Sequence, residues 1–292
     1  MSSLQTNALP TAPTIGVFDS GFGGLTVLRA LVARLPHAQF AFIGDTARLP
    51  YGSKSRRTIA RYAVESAQFL VREQGAEFLV IACNTASALA LGAIQAAVPV
   101  PVLGVIEPGA SNARASSSTG DVLVIATDAT VHSHAYAAAC SALGMRALEK
   151  ACPLLVPLVE EGWTNHPVTE QVIRVYLDEL LSDAAAQGLH SDTLVLGCTH
   201  YPLLRPLIES AVPAGMKVID SAESAADAAV RLINGKDETV SDSTALSGGA
   251  SRVSPTAKVR CFATDSVEKF ERLGSRFLGR PVGKVELVDL GG

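Results

Sequence analysis

From Phe78 to Ile106 the chain carries no charged residue. Apolar sequence of that length must be buried, either in protein or in lipid. Asn84, Thr85, Ser87 and Gln95 lie inside it, and Pro99 and Pro101 break it. It therefore reads as a buried strand (Phe78–Ala82), a helix (Ala86–Ala97) and a second buried strand (Val102–Val105), not as a membrane span.

The same alternation runs along the chain. Ile15–Phe18, Phe40–Ile43, Val122–Ala126, Leu194–Leu196, Val218–Ile219 and Val285–Val288 read as strands. Between them Leu25–Arg34, Arg57–Gln74, Val131–Leu143, Thr169–Ala186, Leu203–Ala211 and Ala222–Ile233 read as helices, two of them stopped by Gly75 and Gly144. Asp265 and Glu268 spell a capping box that opens a helix to about Leu278. Charge-poor strands alternating with helices predict an α/β protein of mainly parallel sheets covered on both faces. At about 150 residues per domain, 292 residues make two domains.

A weak internal repeat supports two related halves. Val80 to Leu89 lines up with Val195 to Leu204: Val, Cys and the final Leu coincide, and both segments read strand, Cys, polar pair, helix. The expected architecture is two pseudo-symmetric lobes, each a mainly parallel sheet flanked by helices, with the site in the cleft between them. Ser-rich Ala115–Gly120 lies near a crossover between lobes, and Ser241–Ser254 reads as a surface loop.

Composition excludes some roles. With 24 Lys and Arg against 28 Asp and Glu, the net charge of −4 gives no basic face for nucleic acid. Met1 to Pro13 has neither a basic residue nor a long apolar run, so it is expected to be a frayed leader, not a secretory signal. Five cysteines, with no C-x-x-C, suggest free thiols in a reducing cytoplasm.

Ligands of parallel sheets gather at the carboxyl ends of strands. Four polar segments sit there. Asp19-Ser-Gly-Phe-Gly-Gly24 is a glycine-rich strand-to-helix turn: Asp19 suits an ammonium, and Ser20 can donate to a carboxylate. Gly44 to Gly52 is a turn shaped by Pro50, with Tyr51 expected over the site and the backbone N–H groups of Tyr51 and Gly52 turned to a ligand. Ala82-Cys-Asn-Thr-Ala-Ser87 and Gly197-Cys-Thr-His-Tyr-Pro202 each put a thiol just past a buried strand, beside donors able to stabilise a thiolate. A lone cysteine of this kind is more often a small buried hydrophobe; two in equivalent places suggest a joint role. Cys140, Cys152 and Cys261 read as packing residues, and His132 and His134 as solvated or capping residues near a helix start.

Taken together and in this order, DSGFGG, GDTARLPYG, ACNTAS and GCTHYP resemble glutamate racemase. So do Gly104 to Pro108, Ala126 to Thr130 and Val156 to Gly162, and the likeness covers nearly all the chain from Ile15. His200 favours this family over aspartate racemases, which usually carry an acidic residue after the Cys-Thr pair. The resemblance implies interconversion of L- and D-glutamate without pyridoxal phosphate or any other cofactor, supplying D-glutamate for peptidoglycan. It implies Cys83 and Cys198 as opposed acid/base thiols, Cys83 acting on D-glutamate and Cys198 on L-glutamate. Asp19 and His200 would assist proton movement, with Glu160 a weaker candidate. Asn84, Thr85 and Thr199 would stabilise the carbanion, while Ser20, Tyr51 and Gly52 fix the rest of the substrate. By the same analogy residues 108–214 form the second lobe, residues 215–292 return to complete a first lobe begun by 1–107, and the protein is a homodimer.

Other readings stay open on sequence: a racemase of aspartate or a hydantoin, or a two-lobed protein that binds an amino acid without chemistry. A metal site of Cys83, Cys198 and His200 lacks common zinc spacing, so no metal is expected.

Overall fold

Among the described residues of the computed structural model every strand pairing is parallel. The structure describes residues 13–233 and 257–291; the leader and the Ser241–Ser254 segment lie outside them.

The first sheet contains β1 (Thr14–Asp19), β2 (Gln39–Gly44), β3 (Phe78–Ile81) and β4 (Val102–Gly104), with α1 (Leu25–Arg34), α2 (Arg56–Arg72) and α3 (Asn84–Ala97) between them. Next come α4 (Ile106–Ser116), then β5 (Asp121–Ala126), α5 (Asp128–Ser133), α6 (Ala135–Ala142), β6 (Arg146–Ala151), α7 (Leu155–Glu160), α8 (Pro167–Ala186), β7 (Thr193–Gly197), α9 (Arg205–Ala211) and β8 (Lys217–Asp220). The chain ends with α10 (Ser221–Ile233), β9 (Lys258–Ala263), α11 (Val267–Leu278) and β10 (Val285–Leu287).

The first sheet has the order β10-β9-β2-β1-β3-β4 and the second β6-β5-β7-β8. The run β2-β1-β3-β4 at one end of the first sheet repeats in the second: β1 corresponds to β5, β2 to β6, β3 to β7 and β4 to β8. Apolar side chains fill both faces of the central strands, with Val80, Ile81, Val124 and Val195 fully buried. Parallel sheets require such two-sided cover.

The structure departs from the sequence reading in identifiable places. Lys217–Asp220 still pairs with β7, so the return expected from residue 215 is delayed; the chain re-enters the first sheet only with β9. The helix expected over Val131–Leu143 is broken at His134, whose φ of 54° is left-handed. The capping box at Asp265 does not form. Ser266 is the cap residue without a side-chain bond, because the Asp265 backbone is held by the Thr46 hydroxyl through both its N–H and its carbonyl. Strand β6 escaped the apolar pattern because Arg146, Glu149 and Lys150 interrupt it at a sheet edge.

Candidate active site

In a doubly wound sheet the ligand crevice opens where neighbouring strands send their connections to opposite sides. That point lies between β1 and β3 in the first sheet, and between β5 and β7 in the second. Asp19 ends β1 and Cys83 follows β3; Thr127 follows β5 and Cys198 follows β7. The two thiols therefore occupy equivalent positions in two like sheets.

Cys83 is the N-cap of α3: its Sγ accepts from the Ala86 N–H at 3.4 Å and stands 3.3 Å from the Ser20 hydroxyl, to which it donates. Burial pushes its pKa up to about 11, and the nearby Asp19 carboxylate adds to the rise. The Ser20 hydroxyl and the backbone N–H groups of Ser20 and Ala86 act the other way. Cys198 is buried to the same degree, 5% exposed, and burial pushes its pKa up as well. Backbone N–H groups of His200 and Tyr201 oppose the rise, while the charges of Cys83 and Asp19 reinforce it. The two sulfurs and the Asp19 carboxylate thus share one electrostatic field.

Asp19 is 1% exposed. Its Oδ2 accepts from the Gly21 N–H at 2.9 Å, while its Oδ1 is buried with no hydrogen bond among the described residues. Burial raises its pKa, only partly offset by His200 and the N–H groups of Gly21, Gly24 and Ser20. His200 lies with Nδ1 3.9 Å from the Cys198 sulfur and Nε2 3.4 Å from Glu160 Oε1. Its ring meets Phe277 edge-on at 5.0 Å. Burial works to raise the Glu160 pKa, but His200 and Lys269 (its Nζ 3.3 Å away) outweigh it and hold the carboxyl below its usual range.

The glycine-rich turn brings the two halves together. Thr26 donates to the Thr199 carbonyl at 3.3 Å. A Cβ on Gly23 would stand 2.3 Å from Thr199 Oγ1 and 2.6 Å from His200 Nδ1, so only glycine fits this approach.

Two residues behave differently from the sequence reading. The Tyr51 ring is 2% exposed, and its hydroxyl donates to Asp45, so only the loop's backbone and the neighbouring Gly52 can turn to a ligand. Gly52 faces Thr127: a Cβ there would lie 3.6 Å from the Thr127 Cβ. The Asn84 side chain is already engaged, its Oδ1 accepting from Tyr136 and its Nδ2 donating to Ser221. That commits its carbonyl oxygen and one of its two amide hydrogens.

Thr127 and Thr130 escaped the sequence reading as site residues. Thr85 Oγ1 lies 3.0 Å from Thr127 Oγ1 and 3.2 Å from Thr130 Oγ1, with 2.9 Å between the latter two. The signal was the Ala126-Thr-Asp-Ala-Thr130 segment at the end of β5, the counterpart of Asp19-Ser20 after β1. Among the described residues no three His, Cys, Asp or Glu side chains gather as metal ligands, and no helix is long and apolar enough to cross a membrane.

Comparison with known proteins gives a consistent result. The sequence profile described as Asp/Glu/Hydantoin racemase matches residues 15–229. The glutamate racemase of Koribacter versatilis (strain Ellin345) is 54% identical over 290 residues, covering 96% of this chain and 98% of that protein. Among solved structures, glutamate racemase isoform RacE1 from Bacillus anthracis aligns with a TM-score of 0.82 at 34% identity, covering 96% of this chain and 98% of that one. The glutamate racemase from Francisella tularensis subsp. tularensis SCHU S4, solved in complex with D-glutamate, gives 0.79 at 34% identity, covering 97% and 99%.

Proposed function

The chain belongs to the Asp/Glu/hydantoin racemase family, and from that premise we propose that it interconverts L- and D-glutamate with Cys83 and Cys198 as opposed acid/base thiols. The observation that carries this reading is the placement of both thiols at equivalent strand ends of two like sheets, within the field of one carboxylate.

Inverting an α-carbon requires a proton to leave one face and another to arrive on the opposite face. One thiol starts as thiolate and the other as thiol, and the roles reverse for the other enantiomer. Cys83 serves D-glutamate and Cys198 L-glutamate. Burial works against the thiolate at both positions. The substrate's ammonium, taken up by the free Asp19 Oδ1, supplies the opposite charge that favours the thiolate. At Cys198 the backbone N–H groups of His200 and Tyr201 favour the thiolate.

The carbanion then needs its charge drawn into the α-carboxylate. Ser20, the remaining Asn84 amide hydrogen, Thr85, Thr199 and the Tyr51–Gly52 backbone hold the carboxylates. Losing one donor aimed at developing charge costs on the order of 3 kcal/mol of barrier. Several such donors in a buried site account for a large part of the acceleration.

The product supplies D-glutamate for peptidoglycan. The five buried free thiols suit a reducing cytoplasm. We assign residues 1–107 and the C-terminal return to one lobe and the intervening residues to the other, with two copies forming a homodimer.

The test is wild-type protein with L-glutamate and no added cofactor. Optical rotation decaying to zero, together with α-hydrogen exchange in deuterated water, supports the reading. Tight glutamate binding without either signal would make the protein a binder and overturn it.

A further inference from the structure

Tyr136 was given no part in the site by sequence, yet it touches a neighbour of each thiol. It is fully buried on α6. Its hydroxyl donates to Asn84 Oδ1 at 2.7 Å, and Asn84 directly follows Cys83. Its ring lies against Gly197, which directly precedes Cys198: a Cβ there would stand 2.9 Å from Tyr136 Cε2. On the ring's other edge a Cβ on Gly109 would stand 3.2 Å from Cε1. Two glycines thus form the slot that admits the ring.

We propose that Tyr136 is a positioning residue for racemisation, one rigid side chain that fixes the strand end bearing Cys83 relative to the strand end bearing Cys198. The inference rests on the two-thiol reading and adds to it a contact that helps set the sulfur-to-sulfur span. A phenol suits this role. Its ring has only two rotatable bonds, and its hydroxyl must find a partner when buried. Here that partner is across the interface, since Asn84 begins α3 beside the first sheet while α6 packs beside the second. The rest of α6 offers little competing constraint toward α3. Ala135, Ala138, Ala139 and Ala142 line a cavity of about 540 Å³ whose opposite wall includes Ser87 and Leu91 of α3. With small side chains facing that space, the directional contact from α6 to the Cys83 loop is the Tyr136 hydroxyl. Asn84 is held from its other end by the Ser221 hydroxyl at 3.3 Å, so it cannot follow Tyr136 loosely.

Proton transfer from the α-carbon to one sulfur, and from the other sulfur back to that carbon, depends steeply on spacing; a displacement of about 1 Å costs roughly a hundredfold in rate. Tyr136→Phe keeps the ring between Gly109 and Gly197 and removes only the hydroxyl. The expected result is a kcat lower by about tenfold to a hundredfold in both directions, with KM for each enantiomer changed less than about threefold. A purely structural role would lower the melting temperature and leave the kcat of the folded enzyme alone. The second readout is a cycle with Asn84→Ala, followed by α-hydrogen exchange. Tyr136→Phe is expected to cost little further in that background, because the contact it serves is already gone. If wild-type enzyme fails to racemise, the two-thiol reading falls first. If wild type racemises and Tyr136→Phe keeps its kcat, or the two substitutions are fully additive, the positioning role of Tyr136 is overturned while the thiol reading stands.

Discussion

Thr85 and Thr127, forty-two positions apart in sequence, place their side-chain oxygens 3.0 Å from one another. Thr85 lies in the first turn of α3, just past Cys83, and Thr127 follows β5 of the second sheet. Gly52 faces the same threonine. Three loops from two sheets therefore converge on one hydroxyl cluster. Thr127→Val keeps the shape and removes the hydroxyl. A hydrogen bond contributes about 0.5 to 1.5 kcal/mol net, so kcat/KM for glutamate should fall about two- to tenfold. Steady-state kinetics in both directions checks this; an unchanged kcat/KM would remove Thr127 from the site.

Asp45 is fully buried and accepts from Arg48 Nε at 2.9 Å, from the Tyr51 hydroxyl and from Thr264 Oγ1 at 2.9 Å. It ties the loop bearing Gly52 to the segment after β9. Asp45→Ala leaves the buried Tyr51 phenol without its acceptor and the partly buried Arg48 with Glu65 as its remaining carboxylate. Leaving a buried donor unsatisfied costs about 1 to 3 kcal/mol, to be read as a lower urea midpoint. Activity should fall beyond what the unfolded fraction explains, because the Tyr51–Gly52 backbone loses its anchor. A midpoint within error of wild type would contradict this account.

The pH dependence has a definite sign. Burial and Asp19 hold the Cys83 thiol up at about 11, so in the free enzyme the reactive thiolate is scarce at neutrality and grows as pH rises. With D-glutamate as substrate, kcat/KM should climb between about pH 7 and pH 9, since that parameter reports groups of the free enzyme. Asp19→Asn removes the carboxylate charge that raises the thiol, and the climb should begin at lower pH. It also removes the oxygen offered to the ammonium, so kcat/KM should fall at every pH. A flat profile from pH 6 to pH 9 would argue against a thiolate base.

The sequence carried the strand ends well and the contacts between them poorly. Asp19-Ser-Gly, Ala82-Cys-Asn and Gly197-Cys-Thr each sit beside a strand whose apolar run is unmistakable, so the chemistry is written next to its position. Thr127 directly follows the apolar run of β5 but brings no thiol or charge to mark it, and Tyr136 lies away from any strand end. Their value arises from Thr85 and Asn84, residues distant in sequence, and no periodicity reports such pairing. Tyr51 shows the opposite limit. Its position in the loop was legible, but its hydroxyl's choice of Asp45 depends on how the loop closes over the interior. The break at His134 was hidden because Val131 to Leu143 is helical in composition throughout, and a single left-handed residue leaves no compositional trace. Likewise β6 is a charged edge strand, and β8 too short to announce which sheet it joins.

Ion pairs at the rim should matter little by comparison. Lys269 reaches Glu160 at 3.3 Å but is 45% exposed, and exposed pairs contribute between zero and about 1 kcal/mol. Lys269→Met should leave the melting temperature within about 2 °C of wild type, given the few degrees that about 1 kcal/mol moves a domain of this size. Glu160→Gln should lower kcat by roughly tenfold or more through His200, a general acid–base partner being worth at least that. Comparing the two variants by thermal melts and kinetics separates the pair's contribution to folding from its contribution to the site; equal kinetic losses would contradict the distinction.

The most direct measurement is racemisation by Cys83→Ala and Cys198→Ala, each assayed alone with either enantiomer as substrate. Both variants are expected to stay folded and to lose racemisation entirely, since each lacks the proton donor or acceptor on one face. A single-alanine variant that racemises glutamate at the wild-type rate would contradict the account.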